Sequence, residues 1–387
     1  MKRIKILQTI RQGQVGGGES HVLELVANMN QSVFEPVVLS FTDGPMVDAL
    51  KRQGITVKVI RTEQPFNIGV WRQVTNLLRG ENIDLVHAHG TRALSNVFSA
   101  AKQLDLPLIY TVHGWSFHPD QSFVIRQIRE RAEQFLTRKA DTTICVSKSN
   151  ETDGINRLKM KHSQVIHNAI NLDKFNPDRP LKDIRAEFGI QADDFVLGFI
   201  ARITGQKDPF TLLRALRKLS KTNNRVRLLM VGDGDLKKQV IEKVEAWGLK
   251  HRIIFQPFRN DIPDILNAID LYCLPSLWEG FPIGILEAMA MRKPVIATPV
   301  DGTRELITDK STGFFVKTGD SEALAVKIWT LCRQPELREK VADKASHYVR
   351  SNFGIKKQVK QIESIYTTAL LNGKNKNNTS FKSSISC

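Results

Sequence analysis

Two carboxylates, two cations, a glycine run and a histidine are the residues of this chain whose types and spacing could do chemistry. Glu279 and Glu287 stand eight positions apart in Pro275-Ser-Leu-Trp-Glu-Gly-Phe-Pro-Ile-Gly-Ile-Leu-Glu287. A carboxylate accepts hydrogen bonds from vicinal hydroxyls, which sugars and ribose offer. The Gly/Pro loop around Glu279 can also present backbone N–H groups to a phosphate. Arg202 and Lys207 follow the strand-like run Phe195–Ile200. Two cations on a loop past a strand can clamp a diphosphate and stabilise a leaving group. Taken alone, such a loop reads better as a solvated charged turn. Gly16-Gly17-Gly18 follows the first apolar run and leads into a helix near Ser20. Glycines let backbone approach a phosphate, and a helix N-terminus favours negative charge. His21 occupies the place of the last glycine of GxGxxG, so a dinucleotide site is not supported. His113, in Tyr110-Thr-Val-His-Gly, ends a strand-like run and could donate to a sugar hydroxyl. His87 and His89 lie near a strand end too, so position alone does not choose among the three. Asp233-Gly-Asp235 could hold a divalent metal, but the spacing reads better as a turn with Asp235 capping the next helix. No metal and no cofactor is expected.

The elements that must position these residues alternate strand and helix. Strands are predicted over Ile4–Ile10, Val37–Phe41, Thr56–Ile60, Asp84–His87, Leu108–Val112 and Thr142–Val146, with helices over His21–Met29, Met46–Gln53 and from Arg92. Asn171–Arg185, rich in Asn, Asp and Pro, reads as a linker. The alternation then resets, from Phe195–Ile200 through Gly313–Val316. Short apolar runs joined by crossover helices mean parallel sheets covered on both faces. The expected fold is α/β, with two Rossmann-like doubly wound domains facing a central cleft: residues 1–175 and residues 186–350. A last helix near 355–370 has no strand after it. Residues 372–387, polar and low in complexity, read as a disordered tail.

The chain has 387 residues, enough for two domains. No apolar run is long enough to span a membrane. The basic N-terminus with its short apolar stretch reads as a first strand, not a signal peptide. Four cysteines, far apart and without CxxC, exclude a disulfide scaffold or zinc cluster and suit a reducing cytoplasm. The formal net charge is +16, and the last 37 residues carry six Lys against one Glu. Such an excess favours an anionic partner: acidic headgroups, phosphate-bearing substrates or nucleic acid. No nucleic-acid-binding signature is present, so nucleic acid is not expected. Phe123–Arg138 sets Val124, Ile128, Ala132 and Phe135 at helical spacing, with arginines largely off the stripe. Such a helix can lie on an anionic bilayer, or its stripe can face its own core; base rates favour the core.

Together these segments resemble the retaining glycosyltransferases of family 4, with the two-domain GT-B fold. The resemblance runs from about Lys5 to Tyr366, through VGGGESHVLELV, VHAHG, YTVHG, ADTTICVS, VIHNAINLDKF, FIARITGQKDP, LLMVGDGDL and PSLWEGFPIGILEAMAMRKPVIATPVDGTREL. Glu279 and Glu287 match the family's E-x7-E signature. The resemblance implies a first domain for the acceptor and a second for a nucleotide-sugar donor, with the last helix crossing back to the first. It implies that Gly16 and Gly17 bring backbone to the donor phosphate, and that Arg202 and Lys207 clamp the diphosphate. Glu287 would bind the ribose. Glu279 would bind donor sugar hydroxyls, aided by the segment Phe281, Pro282, Ile283 and Gly284. His113 would lie close to the transferred sugar, and the base would sit around Phe258. One departure is Asp301-Gly302, where the family often has Gly-Gly. UDP is the expected nucleotide, ahead of GDP. A glycan or lipid-linked saccharide is the expected acceptor, met at the inner face of the cytoplasmic membrane. Two rivals share the fold. A nucleotide-sugar epimerase would not be expected to carry the E-x7-E segment, and a non-catalytic scaffold would tolerate loss of Glu279 or Lys207.

Overall fold

The computed structural model describes residues 2–13, 16–118, 120–221 and 225–383, with side chains described through Asn372. The chain divides into two compact units, Met1–Asn168 with Ile355–Cys387, and Ala169–Gly354.

The first unit is built on seven parallel strands: β1 (Ile4–Ile10), β2 (Phe34–Ser40), β3 (Thr56–Val59), β4 (Leu85–His89), β5 (Leu108–Val112), β6 (Thr142–Cys145) and β7 (Ser163–Val165), in the order β3-β2-β1-β4-β5-β6-β7. Its helices are α1 (Gly17–Asn28), α2 (Pro45–Arg52), α3 (Ile68–Gly80), α4 (Thr91–Gln103), α5 (Phe123–Lys139) and α6 (Lys148–Leu158), with a C-terminal helix returned to it. All five residues of β4 and of β5 are buried, as expected of central strands covered on both faces. Leu7, Leu39, Val86, Val97, Tyr110 and Leu136 belong to one core.

The second unit begins with the short α7 (Ile184–Glu187). It has six parallel strands: β8 (Phe195–Ile200), β9 (Val226–Val231), β10 (Ile253–Gln256), β11 (Leu271–Leu274), β12 (Val295–Ala297) and β13 (Phe314–Phe315), ordered β10-β9-β8-β11-β12-β13. Its helices are α8 (Pro209–Leu219), α9 (Lys237–Ala246), α10 (Ile262–Ala268), α11 (Ile283–Ala290), α12 (Thr303–Leu306), α13 (Ser321–Arg333) and α14 (Pro335–Asn352). The chain then enters α15 (Ile355–Ser383). In each sheet the strand order reverses once, at β1/β4 and at β8/β11. Loops leaving the carboxyl ends of strands flanking such a reversal are where open α/β sheets bind ligands. The glycine run follows β1, Arg202 follows β8 and Glu279 follows β11.

Several expectations change. Helix α1 starts at Gly17, not near Ser20, so two of the three glycines lie in its first turn. Helices α3, α6, α13 and α14 and strand β7 had no counterpart in the sequence reading. In α3, Gly69 and the β-branched Ile68, Val70, Val74 and Thr75 lower helix propensity. The helix forms because Val70, Val74 and Leu78 recur at four-residue spacing and are buried, and because the Asn67 side chain caps Gly69 N. Helix α15 continues to Ser383, through most of the segment read as a tail. A single Gly373 costs roughly 1 kcal/mol in a helix and does not by itself stop one. Residues 384–387 lie outside the described residues.

The largest correction concerns α5. Val124, Ile128 and Phe135, expected to face the core, are 65%, 63% and 42% exposed, and Phe123 is 66% exposed. The face turned inward carries Glu133, Leu136 and Thr137. Glu133 is fully buried. It accepts hydrogen bonds from Thr91 Oγ1 (2.6 Å), the Ser116 N–H (3.2 Å) and Tyr110 Oη (3.1 Å). Periodicity named the apolar stripe correctly but could not say that a satisfied carboxylate, opposite it, would anchor the helix.

Candidate functional site

In the second unit, Lys207 ends a 3₁₀ turn, Gly205–Lys207, just before α8. Asp208, at φ +42°, closes the turn, and its carboxylate caps Thr211 N while Pro209 occupies the first helical position. This holds the Lys207 ammonium against Glu279: Nζ lies 2.5 Å from Oε1. The same oxygen accepts from Ser276 Oγ at 2.6 Å. Both partners are largely withdrawn from water, with side chains 15% and 6% exposed. The two loops are also tied by Gln206, whose Nε2 donates to the Trp278 carbonyl and whose carbonyl accepts from Leu277 N–H. The two residues that resemblance gave separate roles, diphosphate clamp and sugar ligand, are therefore joined in one ion pair. Arg202 differs: it is exposed, and its side chain makes no ion pair among the described residues.

Asp301 explains the departure from Gly-Gly. Its φ is +34°, where glycine is at ease and a Cβ is strained. Its carboxylate accepts the Glu279 N–H at 2.9 Å, a bond glycine could not make. Ser276 carries no mark in the sequence, and Asp301 is marked there only as a departure from Gly-Gly. The position of Asp301 in place of a glycine was the available signal.

Helix α11 carries Glu287 one turn from its start. Phe281 and Pro282 are buried, and the Phe281 ring packs on Phe353 at 5.4 Å, so this phenylalanine serves the core with its side chain. The first-turn amides of Ile283 and Gly284 have no intrahelical acceptor and so suit an anion. Gly284 is sterically required: a Cβ there would stand 2.5 Å from Tyr272 Oη, which donates to the Ile200 carbonyl at 3.0 Å. Burial, reinforced by the Glu287 and Glu279 carboxylates, pushes the Tyr272 phenol well above its usual range. That places both glutamates in the electrostatic field of one tyrosine. Phe258 follows β10, 42% exposed, next to Arg259, which is bonded to Glu187 and Asp261 at 2.6 Å each.

Asp233 pairs with Lys237 at 3.0 Å, which lowers its pKa. Asp235 does not cap: α9 begins after Leu236, with no side-chain cap. The turn itself depends on glycine, since Cβ atoms at Gly232 and Gly234 would lie 2.1 and 2.3 Å from the carbonyl oxygens of Ala201 and Ile203.

The first unit gathers histidines at the reversal of its sheet. His87 and His89 come from β4, His113 from the end of β5, and His21 from α1. The His21 ring meets His113 edge-on at 4.9 Å, and Gly18 lies over the His113 ring, a Cβ there falling 3.5 Å from Cδ2. The glycine run and His113 are thus neighbours. Gly16 is extended, at φ −175°, so no left-handed strain demands glycine there. His21, His87 and His89 are buried and His113 is half-buried, and desolvation of the imidazolium lowers the pKa of each, to about 4 for His21. Nitrogens of His21, His89 and His113 lie within 4.8 Å of one another, a spacing a metal ion could span. Two of the three are already close to one another, His89 Nδ1 and His113 Nε2 at 3.2 Å. Gln8 and Tyr366, which bond this cluster, were not marked in the sequence. A separate groove of about 1390 Å³, lined in part by Lys102, Arg138, His162, Lys357 and Lys360, lies beside the amino ends of β5 and β6, away from these strand ends.

A family model described as "Glycosyltransferase Family 4" matches residues 15–174, and one described as "Glycosyl transferases group 1" matches residues 181–348. The chain is 28% identical over 305 residues to an Escherichia coli protein, UDP-Gal:alpha-D-GlcNAc-diphosphoundecaprenol alpha-1,3-galactosyltransferase, covering 76% of this chain and 78% of that one. The crystal structure of Anabaena HepE in complex with UDP-glucose matches with TM-score 0.84 at 27% identity, over 95% of this chain and 100% of that one. WaaG, a glycosyltransferase involved in lipopolysaccharide biosynthesis, shares the fold at 17% identity, with TM-score 0.75 over 92% and 99% of the two chains. With one model on each sheet-bearing half and both sets of strand-end residues in place, the chain belongs to the family 4 glycosyltransferases of the GT-B fold class.

Proposed function

We propose that this protein is a retaining, metal-independent glycosyltransferase that moves a hexosyl unit from a UDP-sugar to a lipid-linked saccharide or glycan in cell-envelope polysaccharide or lipopolysaccharide assembly. The observation that carries this is the Lys207–Glu279 pair at the carboxyl ends of β8 and β11, with an uncommitted Arg202 on the same loop as Lys207. A diphosphate arriving there meets two cations, one of them already desolvated. In a site shielded from water such charges stabilise a leaving group strongly. The α11 amides add partial positive charge, Glu287 accepts from ribose hydroxyls and Phe258 lies against the base. Glu279, relieved of Lys207 by the phosphate, accepts from sugar hydroxyls. In the first unit, Gly16 and Gly17 offer backbone to a phosphate and His113 offers a ring nitrogen to a hydroxyl. The acceptor hydroxyl attacks from the face the leaving group vacates, and the leaving phosphate takes its proton, giving net retention. UDP is favoured because UDP-glucose accompanies one similar structure and UDP-Gal stands in the name of one relative. A lipid-linked acceptor is favoured by that relative's name, and by α5. Its exposed Phe123, Val124, Ile125 and Ile128, with Arg126, Arg129 and Arg131 alongside, suit an anionic membrane surface at the inner face of the cytoplasmic membrane.

Thermal shift and donor hydrolysis with UDP-, GDP- and ADP-sugars, each with and without EDTA, test the reading. Stabilisation by a UDP-sugar, with slow hydrolysis unaffected by EDTA, is the expected result. Loss of the effect in EDTA would overturn metal independence. Turnover of the sugar to an epimer without acceptor would overturn transfer in favour of epimerisation.

A further inference from the structure

Three of the four histidines of the first unit, His87, His89 and His113, belong to one hydrogen-bonded chain whose polarity can be followed atom by atom. Gln8 Nε2 donates to Tyr366 Oη at 2.8 Å. The Tyr366 proton is then left for His87 Nδ1, at 2.7 Å. A neutral His87 that accepts at Nδ1 carries its proton on Nε2, which donates to Thr111 Oγ1 at 2.7 Å. On its other side Gln8 presents Oε1, a pure acceptor, to His89 Nε2 at 2.8 Å. His89 is therefore protonated at Nε2 and bare at Nδ1. The bare nitrogen accepts from His113 Nε2–H at 3.2 Å. His113 is in turn bare at Nδ1, and this atom is buried with no partner among the described residues. The opposite polarity requires the Gln8 amide to be turned over, and it would leave an N–H at the same buried atom. Orphaned buried N–H groups are the rarer kind.

We propose that Gln8 and Tyr366 are positioning residues that hold His113 in its Nε2–H tautomer, so that His113 Nδ1 accepts a hydrogen bond from a substrate hydroxyl instead of donating one. The assignment rests on the transferase reading for the identity of the hydroxyl, and on the chain alone for the tautomer. It reverses the role expected from sequence, where His113 was a donor. It also gives α15 a part in the chemistry. Tyr366, 279 positions from His87, supplies the phenol that sets the chain's direction, since the tautomer of an imidazole is set by what its other nitrogen bonds. The burial that keeps all three imidazoles neutral near pH 7 maintains the chain as drawn.

Long-range ¹⁵N–¹H spectra of histidine-labelled protein, with His113 assigned by loss of its signals in His113→Gln, measure the tautomer directly and need no substrate. The expected result is a bare Nδ1 and a protonated Nε2 on His113 and on His89. In Tyr366→Phe, which keeps the ring and removes the hydroxyl, His113 signals should move toward a mixture of tautomers. Turnover of UDP-glucose should fall about tenfold with KM within about twofold, the scale of a lost orienting bond. Gln8→Leu should do the same, so a folding defect in one variant leaves the other. A protonated Nδ1 on wild-type His113 would overturn the proposal. So would an unchanged tautomer in both variants, or stoichiometric zinc uptake that shifts His21, His89 and His113 together. If the tautomer is as expected and no nucleotide sugar is turned over, the transferase reading fails and the chain's polarity stands.

Discussion

Lys207 and Glu279 hold one another at 2.5 Å, and both side chains are largely withdrawn from water. Removing one partner of such a pair leaves the other desolvated and unpaired. Lys207→Met should therefore lower stability by about 3 kcal/mol in urea denaturation. On the proposed mechanism it should also reduce transfer about a hundredfold or more, because Lys207 is one of the two cations assigned to the leaving phosphate. Unchanged transfer in this variant would remove Lys207 from the diphosphate site. The identities of Arg202, Lys207, Glu279 and Glu287 were legible in the chain, because loops leaving parallel strands converge on one edge. That Lys207 and Glu279 pair was not legible, since 72 positions separate them and only the β8–β11 neighbourhood brings them together. The bonds of Ser276 and Asp301 to Glu279 were hidden for the same reason, although Asp301 stood out as a departure from Gly-Gly.

At the scale of the element, α11 and α5 carry opposite lessons. Helix α11 approaches the sheet so closely that a Cβ at 284 would stand 2.5 Å from Tyr272 Oη. Gly284→Ala should cost about 1–3 kcal/mol by overpacking. Tyr272→Phe in the same chain should return much of that loss, measured as a double-mutant cycle. Independent, additive effects would show that the contact is not the cause. For α5 the sequence marks the apolar stripe, and the structure turns it outward. An exposed cluster of Phe123, Val124, Ile125 and Ile128 beside arginines should bind bilayers, and Ile128→Glu should abolish co-sedimentation with phosphatidylglycerol vesicles while leaving the melting temperature unchanged, because that side chain is 63% exposed. Equal binding to neutral phosphatidylcholine vesicles would show the arginines to be irrelevant.

For the whole molecule, four desolvated neutral histidines, three of them buried, make folding sensitive to acid. Unfolded histidine titrates near 6.5, whereas His21 in the fold titrates at about 4, because burial penalises the charged form. Between those values the unfolded chain binds more protons, so stability is complete above about pH 6.5 and is lost as pH falls toward 4. His21 alone accounts for on the order of 3 kcal/mol across that window. The melting temperature should drop steeply below pH 6.5, and His21→Gln should flatten the drop; an equally steep fall in that variant would place the acid sensitivity elsewhere. The α/β class, the two strand–helix series and the strand-end residues all followed from the sequence, because apolar periodicity and turn chemistry are local. What only the tertiary structure decided is non-local. It includes the Lys207–Glu279 pair, the outward face of α5 and the chain from Tyr366 to His113. Each depends on which buried polar groups find partners across the fold, and partners tens to hundreds of positions apart leave no periodic trace in a sequence.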